Sequence, residues 1–430
     1  MKNSFCPLYI TNFFGTLNDN FIKTLSTFGW GAAMLQMGLL VYGKTGLGLS
    51  ATGTGALLCA AAVGIVLGQV VAGFVDKTRF LLGSVLLTGW IAAALLALLY
   101  FVPMSPVCFA VVLGVLAFDL GFFKLPFDAE IQKVVKGPKL NTILSYFNQI
   151  SFLFMLAASG CYALVSCLAG SKAFLLLLAV VFFIVPFVFV FCYRPVLLCV
   201  GRWIFARRYK VIVDGQEVID DIVAKNSTVL VLPNHPAMVD PMLVGLTFWK
   251  TPLKPLSDES FFKAGIVAPR VLKTLGAVSV PDLRKNRSRA GASIARGLAD
   301  IVKSALKGGG SVIFYPSGHI QTECGREDIG TRQLAHNICG DLPEKVRVIG
   351  VRTSGLWGSI WSRANRNTSP EFVPTFIKSV LLWFFWSPFV RRRRVHMHIE
   401  DITSRVVEWS KFSRLEFNAR LNEWYNTDDL

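Results

Sequence analysis

A chain of 430 residues with 53% hydrophobic and only 17% charged positions is long enough for two domains but too apolar for an ordinary soluble enzyme. Its formal charge of +17 would suit nucleic acid, yet no nucleic-acid motif is present, and the apolar half points to anionic lipid headgroups or an acidic carrier protein. Long uncharged runs fill the first 200 positions and most charged residues follow, so the expected boundary lies near 194–202.

The nine cysteines form no C-x-x-C pair and mostly sit in apolar runs, as expected of small buried hydrophobes in a reducing compartment. At the amino terminus a single early lysine and the lack of a small-residue cleavage site argue against a removable signal peptide.

A helix crossing a membrane needs about 20 mostly apolar residues, and six such segments are expected at 17–42, 50–75, 80–102, 105–123, 146–169 and 172–193. Short loops collect Lys and Arg on the cytoplasmic side. Lys77 and Arg79 follow the second segment, Lys124, Lys133, Lys136 and Lys139 the fourth, and Arg194, Arg202, Arg207 and Arg208 the sixth, whereas the alternate loops hold only Lys44 and Lys172. Both termini and the whole second half are therefore expected in the cytoplasm. Asn18, Asp19, Asn20 and Lys23 in the first segment, and Asp119 with Lys124 in the fourth, require partners, a wet cavity or the interface.

Phe13-Phe14-Gly15-Thr16-Leu17-Asn18-Asp19-Asn20 and Gly73-Phe74-Val75-Asp76-Lys77-Thr78-Arg79 resemble the amino-terminal half of a major facilitator transporter, and within that superfamily the lysophospholipid transporters. The resemblance implies half of such a fold in residues 1–198, because six segments stand where those carriers have twelve.

From residue 209 onward, short aliphatic runs alternate with helical stretches. Runs 228–232, 276–280, 312–315, 346–351 and 395–399 read as strands and 288–307 as a helix, the pattern of an α/β domain with a mostly parallel sheet. Val229-Leu230-Val231-Leu232 passes through Pro233 into Asn234-His235, with Asp240 five residues after the histidine. Sites in such sheets are built at the carboxyl ends of strands. A turn at Pro236 and a helix start near Asp240 would bring the carboxylate onto one imidazole nitrogen and leave the other basic. A His-Asp pair without a protein nucleophile suits deprotonation of a substrate hydroxyl that attacks a thioester. The bland alternative makes Asp240 a helix N-cap and His235 an ordinary loop residue.

Pro233-Asn234-His235-Pro236-Ala237-Met238-Val239-Asp240 resembles the first block of the glycerolipid acyltransferase family related to lysophosphatidic acid acyltransferase. Gly276-Ala277-Val278-Ser279-Val280, Phe314-Tyr315-Pro316-Ser317-Gly318 and Val348-Ile349-Gly350-Val351 resemble its second, third and fourth blocks, over roughly 205–405. Gly355-Leu356-Trp357-Gly358-Ser359 looks like the subgroup fused to lysophospholipid transporters, the 2-acylglycerophosphoethanolamine acyltransferase type. The resemblance implies His235 as base, Asp240 as its orienting carboxylate, Asn234 or the Gly318 amide as oxyanion donor, and Tyr315, Pro316, Ser317 and Gly318 around the acceptor. The family's third block usually carries Glu after Pro and an Arg shortly beyond, where this chain has Ser317 and His319 or Ile320. Its second block usually ends in Arg, where this chain has Asp282, then Arg284. Arg284, Arg326 and Arg352 are the substitute phosphate ligands expected, with Arg287 and Arg332 also considered.

Tyr315-Pro316-Ser317-Gly318-His319 places a serine near a histidine, but the G-x-S-x-G elbow of a serine hydrolase is absent. No histidine shows zinc-ligand spacing, so no metal is expected. Residues 372–390, rich in Phe and Trp and followed by Arg391-Arg392-Arg393-Arg394, read as an interfacial helix that meets anionic headgroups.

The combined expectation is a membrane α-helical bundle, 1–198, followed by a cytoplasmic α/β acyltransferase domain, 199–430, in a multi-pass inner-membrane protein. It would acylate a lysophospholipid or lysophosphatidic acid, using acyl carrier protein or coenzyme A thioester as co-substrate and no cofactor. The alternative is a lysolipid flippase with a regulatory or degenerate second half.

Overall fold

The computed structural model describes residues 19–75, 78–134, 139–280, 289–364, 368–386 and 391–427. The chain divides into two compact units, Met1–Val200 and Gly201–Leu430.

The first unit holds α1 (Asp19–Thr45), α2 (Ala51–Phe74), α3 (Thr78–Phe101), α4 (Pro106–Val134), α5 (Lys139–Ala169) and α6 (Ala173–Val190), and α7 (Arg194–Arg208) begins within it. Among the described residues five stretches are long and apolar enough to cross a membrane: Ala51–Phe74, Gly83–Phe101, Pro106–Ala129, Asn148–Ala169 and Ala173–Val190. The first of the six expected segments is helical but does not join them. Gln36 and glycines 29, 31 and 38 dilute the apolar run of α1, and a span is set by sustained hydropathy rather than helix length.

Helices α2 and α4 approach through glycine. A Cβ on Gly64 would lie 2.5 Å from the Gly114 carbonyl oxygen, and one on Gly68 2.0 Å from that of Phe118. Small residues one turn apart let backbones meet this closely, which supplies dispersion where lipid offers no hydrophobic drive.

The second unit is an α/β sandwich. Its strands are β1 (Tyr209–Asp214), β2 (Thr228–Pro233), β3 (Lys254–Asp258), β4 (Val278–Val280), β5 (Val312–Ile313), β6 (Val346–Ser354) and β7 (Arg393–Asp401), in the spatial order β1-β7-β6-β2-β5-β3-β4. All neighbours run parallel except β6 and β7. Period-two alternation sorts β2 between the faces. Val229 and Val231 join a cluster with Leu243 and Val244 of α9 (Asp240–Thr247) and Phe248 just after it, while Leu230 and Leu232 pack with Val302 and Leu306 of α12 (Arg289–Lys307) and Phe417 and Leu421 of α16 (Arg414–Tyr425). With both faces covered, the strand reads as a continuous aliphatic run.

The remaining helices are α8 (Gln216–Lys225), α10 (Glu259–Phe262), α11 (Val267–Leu275), α13 (Leu334–Cys339), α14 (Phe372–Trp386) and α15 (Thr403–Trp409). Expected helix 288–307 is α12, and the aromatic segment expected at 372–390 is helical over Phe372–Trp386. Two expected strands are shorter, Val278–Val280 and Val312–Ile313, and two strands, β1 and β3, were not anticipated. Strand β1 follows α7 without a breaker, and β3 opens on Lys254-Pro255, a dipeptide that reads as a turn.

Helix α16 is started by Ser413, whose side chain accepts from the Glu416 amide at 3.3 Å. It docks where β6 has no side chain: a Cβ on Gly350 would lie 2.3 Å from Trp424 Cη2.

Candidate active site

Strands β6, β2 and β5 are adjacent and parallel, so their carboxyl ends open onto one edge. Beyond Pro233 the pairing continues for one more residue. The Asn234 amide donates to the Val351 carbonyl at 3.1 Å, and its side chain brackets Thr353, Oδ1 accepting from the Thr353 amide at 2.7 Å and Nδ2 donating to its carbonyl at 3.1 Å. Asn234 is thus 5% exposed and bound into the sheet. The oxyanion role expected of it is not supported, because its acceptor oxygen and one amide hydrogen are already spent on β6.

The chain then leaves the sheet and re-enters helix at Asp240, with Pro241 in the first turn. Asp240 is fully buried, and its Oδ2 accepts from the Ala237 amide at 3.2 Å and from His235 Nδ1 at 3.0 Å. That carboxylate fixes the loop and the imidazole tautomer together. The His235 side chain keeps 16% of its surface while Asp240 keeps none, which leaves Nε2 as the nitrogen without a carboxylate partner. The Tyr315 ring covers the imidazole at a centroid distance of 4.3 Å.

Burial disfavours the charged imidazole, but the Asp240 charge and hydrogen bond, with the Glu327 charge, outweigh it and hold the His235 pKa above its ordinary value. Burial pushes the Asp240 carboxyl up, opposed by His235. Burial and then Asp240 push the Tyr315 phenol well above its usual range, so it remains neutral.

The third-block residues wrap this centre. Pro316 and Ser317 are buried and Gly318 turns with φ +59°. The Gly318 amide donates to the Tyr315 carbonyl at 3.0 Å, closing the turn, so the expected oxyanion role of this amide is already taken. Ser317 Oγ donates to the His319 carbonyl at 3.0 Å, and His319 Nδ1 donates to the Ser317 carbonyl at 2.8 Å. The serine hydroxyl and imidazole therefore do not meet, and no serine-nucleophile pair exists here.

A second buried carboxylate enters from a loop. Glu327 is 2% exposed, and its Oε2 accepts from the His235 amide at 3.0 Å and from Gln321 Nε2 at 3.1 Å. The Gln321 amide donates to the His235 carbonyl at 2.7 Å, closing a ring through His235, Gln321 and Glu327. Sequence reasoning missed Glu327 and Gln321. The only signal was in α16 and its C-cap, where Asn418, Asn422 and Asn426 stand four residues apart.

The expected cations separate. Arg326 is 71% exposed and pairs with Glu323 at 3.4 Å. Arg352 is 6% exposed, with its guanidinium 5.2 Å over the Trp424 ring and NH1 donating to the Thr427 carbonyl at 3.4 Å, so it serves the docking of α16. Arg284 and Arg287, like Asp282, lie outside the described residues. Arg332 is the cation at the turn: a Cβ on Gly318 would lie 3.3 Å from its Nε. Burial and then the Arg332 charge lower the His319 pKa. Leu356 of the 355–359 motif is fully buried in the same cluster as Ala237 and Val239 of the loop, and beyond the motif the Trp361 carbonyl accepts from the Met238 amide at 3.0 Å.

Among the described residues no cluster of three or more His, Cys, Asp and Glu side chains could hold a metal ion. Comparison of the chain with protein-family models, with curated proteins and with solved structures finds no match.

Proposed function

We propose that this chain is a membrane-bound O-acyltransferase that transfers a fatty acyl group from an acyl carrier protein or coenzyme A thioester to the free hydroxyl of a lysophospholipid or lysophosphatidic acid. The observation that carries the reading is the 3.0 Å contact between His235 Nδ1 and Asp240 Oδ2 at the carboxyl end of β2. It yields a partly exposed base with a fixed tautomer and, among the described residues, no hydroxyl or thiol hydrogen-bonded to its ring.

In this reading His235 Nε2 takes the acceptor hydroxyl's proton as the oxygen attacks the thioester carbonyl carbon. The tetrahedral intermediate collapses, the C–S bond breaks, and the leaving thiolate takes the proton back from the imidazolium. Asp240 orients the ring and stabilises its charged form. Tyr315 shields one ring face, and Arg332 at the Gly318 turn meets the acceptor's phosphate. In this reading the chain is a multi-pass inner-membrane protein with half of a major facilitator-like bundle, a reading supported by the stretches apolar enough to cross a membrane. The loop charge supports cytoplasmic termini.

The test is acyl transfer from a radiolabelled thioester to lysolipid by membranes containing the chain. Labelled diacyl product above the level of membranes lacking it supports the reading; none with any glycerolipid acceptor refutes it. The flippase alternative draws on Asp119, a carboxylate 8% exposed within α4. It predicts lysolipid movement across vesicles with no new ester.

A further inference from the structure

Glu327 meets the backbone of His235 rather than its ring, and it is itself held by the last helix. Asn426 brackets it, Oδ1 accepting from the Glu327 amide at 2.8 Å and Nδ2 donating to its carbonyl at 3.0 Å. One turn earlier Asn422 Oδ1 accepts from the Ile329 amide at 3.0 Å, and one turn before that Asn418 Nδ2 donates to the Gly330 and Arg332 carbonyls, each at 2.9 Å. Three asparagines spaced i, i+4, i+8 therefore share one helix face and read the backbone of 327–332. The same helix sends the Tyr425 hydroxyl to the Leu232 carbonyl at 3.0 Å, three residues before His235.

We infer that Glu327, registered by the asparagine face of the final helix, is the positioning residue of the His235 loop, so that the carboxyl-terminal helix is an integral part of the active site. The inference rests on the acyl-transfer reading. A buried carboxylate is costly unless bonded. Here its Oε2 supports the histidine amide and Gln321, while Oε1 is buried near the Ser317 side chain. Serine at 317 leaves room for a carboxylate arriving ten residues later in the chain.

The geometry gives Glu327 two separable effects. As an acceptor it fixes the height of the His235 backbone over the sheet end. As a charge it favours imidazolium, beside the larger effect of Asp240. The other groups facing this centre are Tyr315 from the end of β5, His319 from the turn and Tyr425 from α16. Burial raises the Glu327 carboxyl itself, opposed by Ser317 and His235.

Full-length chain in lipid nanodiscs is assayed for acyl transfer across pH, and in parallel His235 is titrated by diethyl pyrocarbonate modification read by mass spectrometry. Glu327→Ala should cut kcat on the order of 10²-fold with KM little changed, as expected for a displaced reacting group. Glu327→Gln keeps an acceptor and loses the charge. It should retain more kcat than the alanine variant and move the His235 titration midpoint to lower pH. Asn426→Ala, which leaves the carboxylate in place, should lower kcat in the same direction and covers the case in which Glu327→Ala does not fold. Wild-type kcat and an unshifted His235 midpoint in Glu327→Gln, together with wild-type kcat in Asn426→Ala, would overturn the inference. If the wild-type chain transfers no acyl group, the acyl-transfer reading fails, and the His235 titration alone still decides whether Glu327 acts on the histidine.

Discussion

The Trp424 indole of the final helix lies directly over Gly350 in β6, where a Cβ would come within 2.3 Å of Cη2. One strand residue without a side chain thus sets the height of the helix that carries Asn418, Asn422 and Asn426. Gly350→Ala should force the indole outward, destabilise the second unit by about 1–3 kcal/mol as overpacking does, and lower acyl transfer through the displaced helix. Thermal unfolding of the full chain, followed by limited proteolysis of the 391–427 region, checks this. Wild-type stability and activity would show that the helix can move without consequence.

The activity of a base with a raised pKa falls as pH drops through that pKa. His235 is held above its ordinary value chiefly because Asp240, with Glu327, outweighs burial. The kcat/KM profile should therefore show an acid limb with an apparent pKa above about 6.5, the unperturbed histidine value. Asp240→Asn removes the main charge favouring imidazolium, so it should shift the limb to lower pH while reducing the plateau. An acid limb left in place by Asp240→Asn would mean that another group titrates.

Two cysteines of the second unit differ sharply. Cys339 is buried in the cluster under α16, and burial pushes its thiol up to about 12, whereas Cys324 is exposed in the loop before Glu327. Maleimide at pH 8 should label Cys324 rapidly and leave Cys339 intact until denaturant is added, because the thiolate is the reacting form. Rapid labelling of Cys339 in the native chain would contradict the packing of α13 beneath α16.

The proposed sidedness rests on loop charge. In a cysteine-free background, single cysteines at position 136 and at Ser171 should react with impermeant reagent from the cytoplasmic and opposite faces respectively. Reaction of both from one face would refute the proposed topology.

The sequence made legible what depends on short-range pattern. The run 229–232 announced a strand of a mostly parallel sheet, and the five-residue step from His235 to Asp240 is about the length that one turn and a helix start can fold back. Strand β3 stayed hidden because Lys254-Pro255 signals a turn; only its neighbours β5 and β4 make it a strand. Glu327 was illegible for a different reason. Glu323, Glu327 and Asp328 look alike in a polar loop, and only the tertiary approach of α16 selects one of them for burial. The same approach turned Arg352, a plausible phosphate ligand by sequence, into a packing partner of Trp424.

The most direct measurement is acyl transfer by His235→Ala in membranes where insertion and abundance of the chain are shown to match wild type. The account predicts a loss of about 10²- to 10⁴-fold, the range for removing a general base, with no rescue by raised pH. Turnover near the wild-type rate would contradict it, because no other described side chain pairs a partly exposed imidazole with a fully buried carboxylate at a strand end.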